Sequence, residues 1–360
     1  MISLIVFLVI FGILIVVHEF GHFALAKLQG VRVERFSLGF GPALVKKKKN
    51  RTEYSINAIP LGGYVKLAGD NLEEYKGKPD EYFSKTPGQR AAIIFCGPLL
   101  NYILGFLCFW VIFFFGYPTL TTRIGGLLDG YGAKEAGLEV GDKIIAVDGK
   151  NVKSWDDLQM LVYNKQLPAQ VEISFLRGDK ETKVNVALKE RQLDDQMGAQ
   201  RRVGLLGITP SPAETVNVRY GPGKSFILSL KRTLDMTGLT AKAIWRMLTG
   251  KLSFSESVTG PLGIYYITSH AARLGMIAVL HLMAILSISL GIFNLLPLPV
   301  LDGGHIVLLA IEKVRGRALS IKAERIITQI GVTLIVSLAV FVTYNDILRF
   351  FGDKLPQWIK

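Results

Sequence analysis

Cysteine is nearly absent from this chain of 360 residues: the two present, Cys96 and Cys108, both lie inside an apolar run. That excludes a disulfide framework and a cysteine-based zinc site. Charge is also scarce, with 20% Asp, Glu, Lys and Arg against 50% hydrophobic residues, and the mean hydropathy is +0.35. Such proportions argue against a disordered chain and against a wholly water-soluble one. Acidic residues are in deficit, 29 against 42 basic, which leaves a formal net charge of +13. In a soluble chain that excess would suggest nucleic acid, but basic loops beside membrane spans produce it equally. The most compact basic run, Lys46 to Lys49, is accounted for by topology and anionic lipid, so no nucleic-acid partner is required.

What is present is long uncharged sequence. Four stretches approach or exceed the roughly 20 apolar residues that a helix needs to cross a bilayer, and they predict transmembrane helices over 1–27, 91–116, 273–305 and 326–346. The first is not a simple cleavable signal, because no basic segment precedes it and no polar cleavage segment follows. The third carries a helix break at Asn294 to Pro299. Lysines and arginines accumulate in 28–90 and in the short connection 306–325, whereas the sequence from Tyr117 to Pro222 is balanced in sign. The basic segments should face the cytoplasm. Both termini and the middle region are then extracytoplasmic.

Within 28–90, residues 51–69 alternate around turn signals and read as short strands or a hairpin. Non-helical backbone at membrane depth must be buried in protein or line a wet cavity. In 117–195, Ala136-Gly137-Leu138, Val140-Gly141-Asp142, the run Ile144 to Val147 and the turn Asp148-Gly149 resemble a PDZ domain of the circularly permuted kind found in bacterial proteases. The resemblance implies a groove that takes an extended peptide by strand addition. Residues 196–272 read as linker and amphipathic helices, and 347–360 as a tail in which Trp358 could anchor at the interface. The predicted fold class is a polytopic α-helical membrane protein. It has four transmembrane helices, a membrane-associated β element and one inserted extracytoplasmic PDZ-like domain.

The chemistry centres on His18-Glu19-Phe20-Gly21-His22, an HExxH pattern. Residues four apart share a helix face, so both imidazoles can reach one zinc ion while Glu19 lies beside them as a base. Two histidines and a carboxylate inside an apolar span are costly to bury without metal or pairing, which raises the weight of the motif. Catalytic zinc usually takes three protein ligands. Asp302 is the third candidate, at the end of Pro299-Val300-Leu301-Asp302-Gly303-Gly304, with His305 as second choice; the competing reading makes Asp302 a helix N-cap. His281 reads as a packing residue, and His270 has no assigned role. Asn294, beside the broken helix, is placed to hydrogen-bond an extended substrate backbone.

Taken together, these motifs closely resemble the site-2 protease family of intramembrane zinc metalloproteases, in its bacterial RseP type. The resemblance rests on the HExxH span, Gly62-Gly63-Tyr64-Val65-Lys66, Gly97-Pro98 with Asn101, the PDZ-like domain, Gly260-Pro261-Leu262-Gly263-Ile264, and Asn294 through His305. It implies one catalytic zinc ion on His18, His22 and Asp302, with Glu19 as general base. Asn294 and Pro297 would lie near the substrate, and Gly62, Gly63 and Tyr64 would belong to a membrane-reentrant β element that positions it. It further implies cleavage of single-span membrane proteins, such as pre-cleaved anti-sigma factors or remnant signal peptides, in a bacterial inner membrane with the active site near the cytoplasmic side. There is room for one PDZ-like domain, which would bind a peptide or exclude bulky substrates. A noncatalytic PDZ scaffold with a structural metal site is the rival reading, but it gives Glu19 no task. A metal transporter should spread polar residues along a path, and no inverted repeat is evident.

Overall fold

The computed structural model describes residues 2–163, 165–194, 200–317 and 320–351. The chain divides into two units, Met1–Trp110 together with Ile227–Lys360, and Val111–Phe226.

The first unit opens with α1 (Ile2–Leu28), an apolar run without proline. It continues into β1 (Val33–Lys49) and β2 (Thr52–Leu67), which pair antiparallel. Asn50 and Arg51, with φ of 47° and 65°, close this hairpin with a two-residue turn of the type that needs positive φ at both central positions. The ladder is doubled, because Arg35 to Leu38 aligns with Glu53 to Ile56 and also with Gly63 to Lys66. Strand structure therefore begins at Val33, well before the 51–69 segment predicted from alternation. Its first half carries apolar residues at alternate positions, Phe36, Leu38 and Phe40, and the lysine run covers only its last four residues, so this strand was legible from alternation. A short 3-10 turn (Tyr82–Ser84) leads to α2 (Pro87–Phe115), which contains Pro98.

The second unit contains β3 (Tyr117–Leu120), β4 (Ile124–Leu127), α3 (Gly132–Glu135), β5 (Lys143–Val147), β6 (Lys150–Asn151) and α4 (Trp155–Tyr163). There follow β7 (Gln170–Arg177), β8 (Lys180–Ala187), β9 (Lys189–Asp194), β10 (Gln200–Leu205), β11 (Ile208–Pro210) and β12 (Thr215–Val218). An antiparallel sheet of order β6-β5-β7-β8 forms its centre. Alternation along β7 buries Val171, Ile173 and Phe175 on one face, where they pack with Ile144, Trp155 and Leu158. β11 pairs with β4 and β12 with β3. Residues 200–218, read from sequence as part of a linker, thus close the unit back onto its first strands. Such short pairings carry too little pattern to be seen without their distant partners.

The chain returns through α5 (Pro222–Leu248), a single helix where one or two were expected. In its first-unit part α5 buries Ser229 and Thr233 and exposes Ile227, Leu230, Leu234, Trp245 and Leu248. After α6 (Phe254–Ser257), the helices α7 (Pro261–Leu274) and α8 (Met276–Asn294) are separated at Gly275, with φ of 108°. The single span predicted over 273–305 is therefore α8 alone. It stops at Asn294, where the proline-containing segment was expected to break it. A new helix, α9 (Asp302–Arg315), occupies much of the predicted connection. α10 (Ile321–Phe351) is longer than the 326–346 expected, because its ends add polar turns to the apolar centre. The rest of the predicted tail, with Trp358, lies outside the described residues.

Among the described residues α1, α2, α8 and α10 contain segments long and apolar enough to cross a membrane, and the chain is a polytopic membrane protein. Small residues set how closely they approach. A Cβ on Gly21 of α1 would lie 2.3 Å from the Cys96 carbonyl oxygen of α2, and one on Gly105 would lie 2.5 Å from Cγ1 of Ile288 in α8. Without a strong hydrophobic drive between helices in lipid, such close packing at small residues carries much of the association.

Candidate metal centre

His18 and His22 lie one turn apart on α1, with their Nε2 atoms 3.2 Å from each other. Asp302 arrives from α9, 3.2 Å from His18 Nε2 through Oδ2 and 3.7 Å from His22 Nε2 through Oδ1. Asp302 is the first residue of α9, whereas Leu301 is the N-cap, so its carboxylate is not engaged in capping. Gly303 and Gly304 let this helix start against the preceding loop: a Cβ at either would lie 2.2 or 2.1 Å from the carbonyl oxygens of Leu295 and Leu298.

The donor set fits zinc. Two imidazole nitrogens and one carboxylate converge with their ligand atoms within 4.8 Å of one another. Tetrahedral zinc with bonds of about 2.0–2.2 Å requires ligand separations of about 3.3–3.5 Å, close to those found. Asp302 Oδ2 is buried without a hydrogen-bond donor, a costly state that a bound cation relieves. His18, His22 and Asp302 thus form a site for a single zinc ion.

The surroundings orient the ligands. His22 Nδ1 lies 3.0 Å from the Ile93 carbonyl oxygen, so the ring donates there and leaves Nε2 as the metal-facing lone pair. His18 Nδ1 lies 3.4 Å from the amide of Asn101. Gly97 forms the floor, since a Cβ there would lie 2.4 Å from the His22 ring. Pro98 leaves the Ile94 carbonyl without its helical donor, adjacent to the Ile93 carbonyl that His22 uses.

A cavity of about 310 Å³ extends from this cluster, lined by Glu19, His22, Val65 and Asp302 at one end and by Asp70, Tyr82, Arg90 and Glu312 further along. Burial raises the Asp70 carboxyl and the Tyr82 hydroxyl above their ordinary ranges. Val65 lines the cavity beside Glu19. A Cβ on Gly63 would lie 3.4 Å from Cγ of Glu19 and 2.9 Å from Cγ2 of Ile15, so β2 passes directly against the turn of α1 that carries Glu19.

The other sequence-selected residues fall around this centre. Gly62 has φ of 98° and lies against Phe40, whose ring stacks on Tyr64; the Tyr64 hydroxyl accepts from Arg35. Asn294 ends α8 and Pro297 lies exposed in the following loop. The cavity lining includes neither. His305 lines the cavity but is not in the ligand cluster. His281 packs edge-on against Phe109, and His270 is exposed. Sequence reasoning assigned no role to the Ile93 carbonyl, to Asn101 as a partner of His18, or to the Arg90–Glu312 pair. An arginine at the start of an apolar run and an asparagine within it were the available signals.

Comparison with known proteins adds an independent line. The family model described as Peptidase family M50 matches residues 6–338. The chain is 30% identical over 434 residues to the regulator of sigma E protease of Haemophilus influenzae, covering 95% of this chain and 98% of that protein. It is 30% identical over 440 residues to the regulator of sigma-E protease RseP of Escherichia coli, with the same coverages. Among solved structures, the PDZ domain of an SdrC-like protein from Listeria monocytogenes covers 26% of this chain and 88% of its own length, at 24% identity and a TM-score of 0.21.

Proposed function

This chain belongs to peptidase family M50 and is an intramembrane zinc metalloendopeptidase of the site-2 protease type, and we propose that Glu19 is its general base and that single-span membrane proteins are its substrates. The observation that carries the reading is the convergence of His18, His22 and Asp302 beside Glu19 in one cavity. When bound, zinc supplies Lewis acidity that acidifies the attacking water and polarises the scissile carbonyl. Glu19 takes the water proton and returns it to the leaving amine. β2 passes close beside Glu19, since a Cβ on Gly63 would lie 3.4 Å from Glu19 Cγ, and Val65 lines the cavity with it.

A peptide bond in a helix is shielded by its own hydrogen bonds, so the substrate must be unwound locally. Among the described residues the stretch Gly63 to Lys66 pairs only with Arg35 to Leu38, which supports a role in receiving an extended substrate strand beside Glu19. Gly62, Gly63 and Tyr64 shape that strand. Asn294 and Pro297 would meet the substrate from the end of α8. Anti-sigma factor remnants and signal-peptide remnants are the substrate classes. The basic hairpin and the basic end of α9 support a cytoplasmic placement of the active site in a bacterial inner membrane. The unit Val111–Phe226 would then be extracytoplasmic, as would both termini, with the unit acting as a PDZ module that binds a peptide or excludes bulky ectodomains.

The test is cleavage of a tagged single-span substrate by the purified, detergent-solubilised full chain, beside Glu19→Gln, with zinc quantified in both. Cleavage by the parent and none by a zinc-loaded Glu19→Gln protein is expected. Parental turnover in the variant would overturn the assignment of Glu19.

A further inference from the structure

The zinc ligands come from two places far apart in the chain, and α9, which brings Asp302, is held unevenly. At its start, Gly303 and Gly304 press against the Leu295–Leu301 loop, and Leu309 is buried. Beyond that, Ala310, Ile311, Lys313, Val314 and Arg315 are all exposed, and Glu312 is the one residue of this half that is not. Glu312 forms a hydrogen-bonded ion pair with Arg90 of α2.

Arg90 is itself firmly seated. Its side chain is 4% exposed, its Nε donates to the Lys85 carbonyl at 3.2 Å, and its guanidinium lies over the rings of Phe83 and Tyr82 at 5.3 and 5.9 Å. Tyr82 and Phe83 in turn donate their backbone amides to Ala68 and Gly69, just past the end of β2. One ion pair thus connects the Asp302 helix to the start of α2 and to the segment continuous with the strand beside Glu19. Both partners line the same cavity as Glu19, His22 and Asp302.

We propose that Arg90 and Glu312 are positioning residues that fix the far end of α9 and thereby set the Asp302 carboxylate against His18 and His22. The inference rests on the assignment of Asp302 as a zinc ligand. Ten residues of helix separate Asp302 from Glu312, a lever of about 15 Å, so a tilt of about 4° moves Asp302 by about 1 Å. Metal sites are sensitive to errors of that size. A buried ion pair contributes little net stability compared with an apolar pair, but it specifies one arrangement of the elements it joins.

The experiment uses the full chain in detergent, with Arg90→Gln, Glu312→Gln and the exchange Arg90→Glu/Glu312→Arg. Zinc affinity is read by competition with a chromogenic chelator, and site geometry by the visible spectrum of the cobalt-substituted protein. Each single variant should lose about tenfold or more in zinc affinity, with an altered cobalt spectrum. On a single-span substrate kcat should fall while KM stays within about twofold, and the exchange should recover affinity and spectrum. Single variants that are monodisperse and bind zinc like the parent would overturn the proposal, as would a folded exchange variant no better than the singles. Should the exchange fail to fold, Arg90→Met/Glu312→Gln removes both charges without restoring the link. Loss of zinc affinity at a parental melting temperature then supports the proposal, and parental affinity overturns it. A folded parent that binds no zinc would instead remove the metal reading itself, which separates that failure from failure of the positioning pair alone.

Discussion

Asn101 is fully buried in an apolar helix, and as oriented its Oδ1 has no hydrogen-bond partner while Nδ2 faces His18 Nδ1. Turning the amide by 180° lets the oxygen accept from His18 Nδ1–H, which satisfies the buried oxygen and leaves His18 Nε2 free for zinc; amide orientation of this kind follows from the hydrogen-bond network. The Asn101 carbonyl also accepts from Ser287 Oγ at 2.6 Å, which ties the residue to α8. Replacing Asn101 with Leu should therefore lower zinc affinity by about 10–100-fold, measured by chelator competition on folded protein. Substrate KM should stay near the parental value. Unchanged affinity would show that the amide only fills space. This role was hard to read from sequence because Asn101 and His18 stand 83 positions apart, with no spacing rule to connect them.

Elements are fixed by a few buried polar contacts set among apolar ones. Asp346, 2% exposed in α10, accepts from the backbone amides of Gly260 at 3.1 Å and Gly263 at 2.9 Å. These are groups at the start of α7 that have no intrahelical partner. A Cβ on Gly260 would lie 2.7 Å from Asp346 Oδ2, so the glycines of Gly260-Pro261-Leu262-Gly263 make room for the carboxylate. Asp346→Ala orphans two buried donors and should cost about 2–5 kcal/mol. In detergent that appears as a lowered melting temperature, whereas Asp346→Asn should keep part of the interaction. The motif was visible in the sequence, but its partner lies 86 residues away, at the polar end of a helix with an apolar centre.

Acid acts on the unit Val111–Phe226 through Asp142. In Val111–Phe226, burial pushes the Asp142 carboxyl up, but hydrogen bonds from Arg177 and from the Glu139 amide outweigh it and hold it below the usual carboxylate range. A carboxylate depressed in the folded state contributes stability that is present above its unfolded pKa, about 3.9, and is lost as pH falls through the lower folded value. Hydrogen exchange on the full chain should therefore show β5 and β7 losing protection below about pH 4. Asp142→Asn should reduce protection at neutral pH and flatten that dependence. A parental acid profile in the variant would overturn this account.

Hydropathy and local spacing, which act within one segment, made several features legible: four apolar helices, the HExxH turn with both imidazoles on one face, and a carboxylate at a proline-broken helix end. They also reached β1, whose Phe36, Leu38 and Phe40 alternate, but not its pairing with two separate stretches of β2. They were silent on β11 and β12, whose pairing with β4 and β3 spans the unit. Tertiary structure decided how Asp302 meets His18 and His22, which backbone carbonyl orients His22, and what holds α9 in place. Those facts depend on glycines that let backbones approach and on buried polar groups that must find partners. Both are set by residues far apart in the chain, beyond the reach of any local pattern.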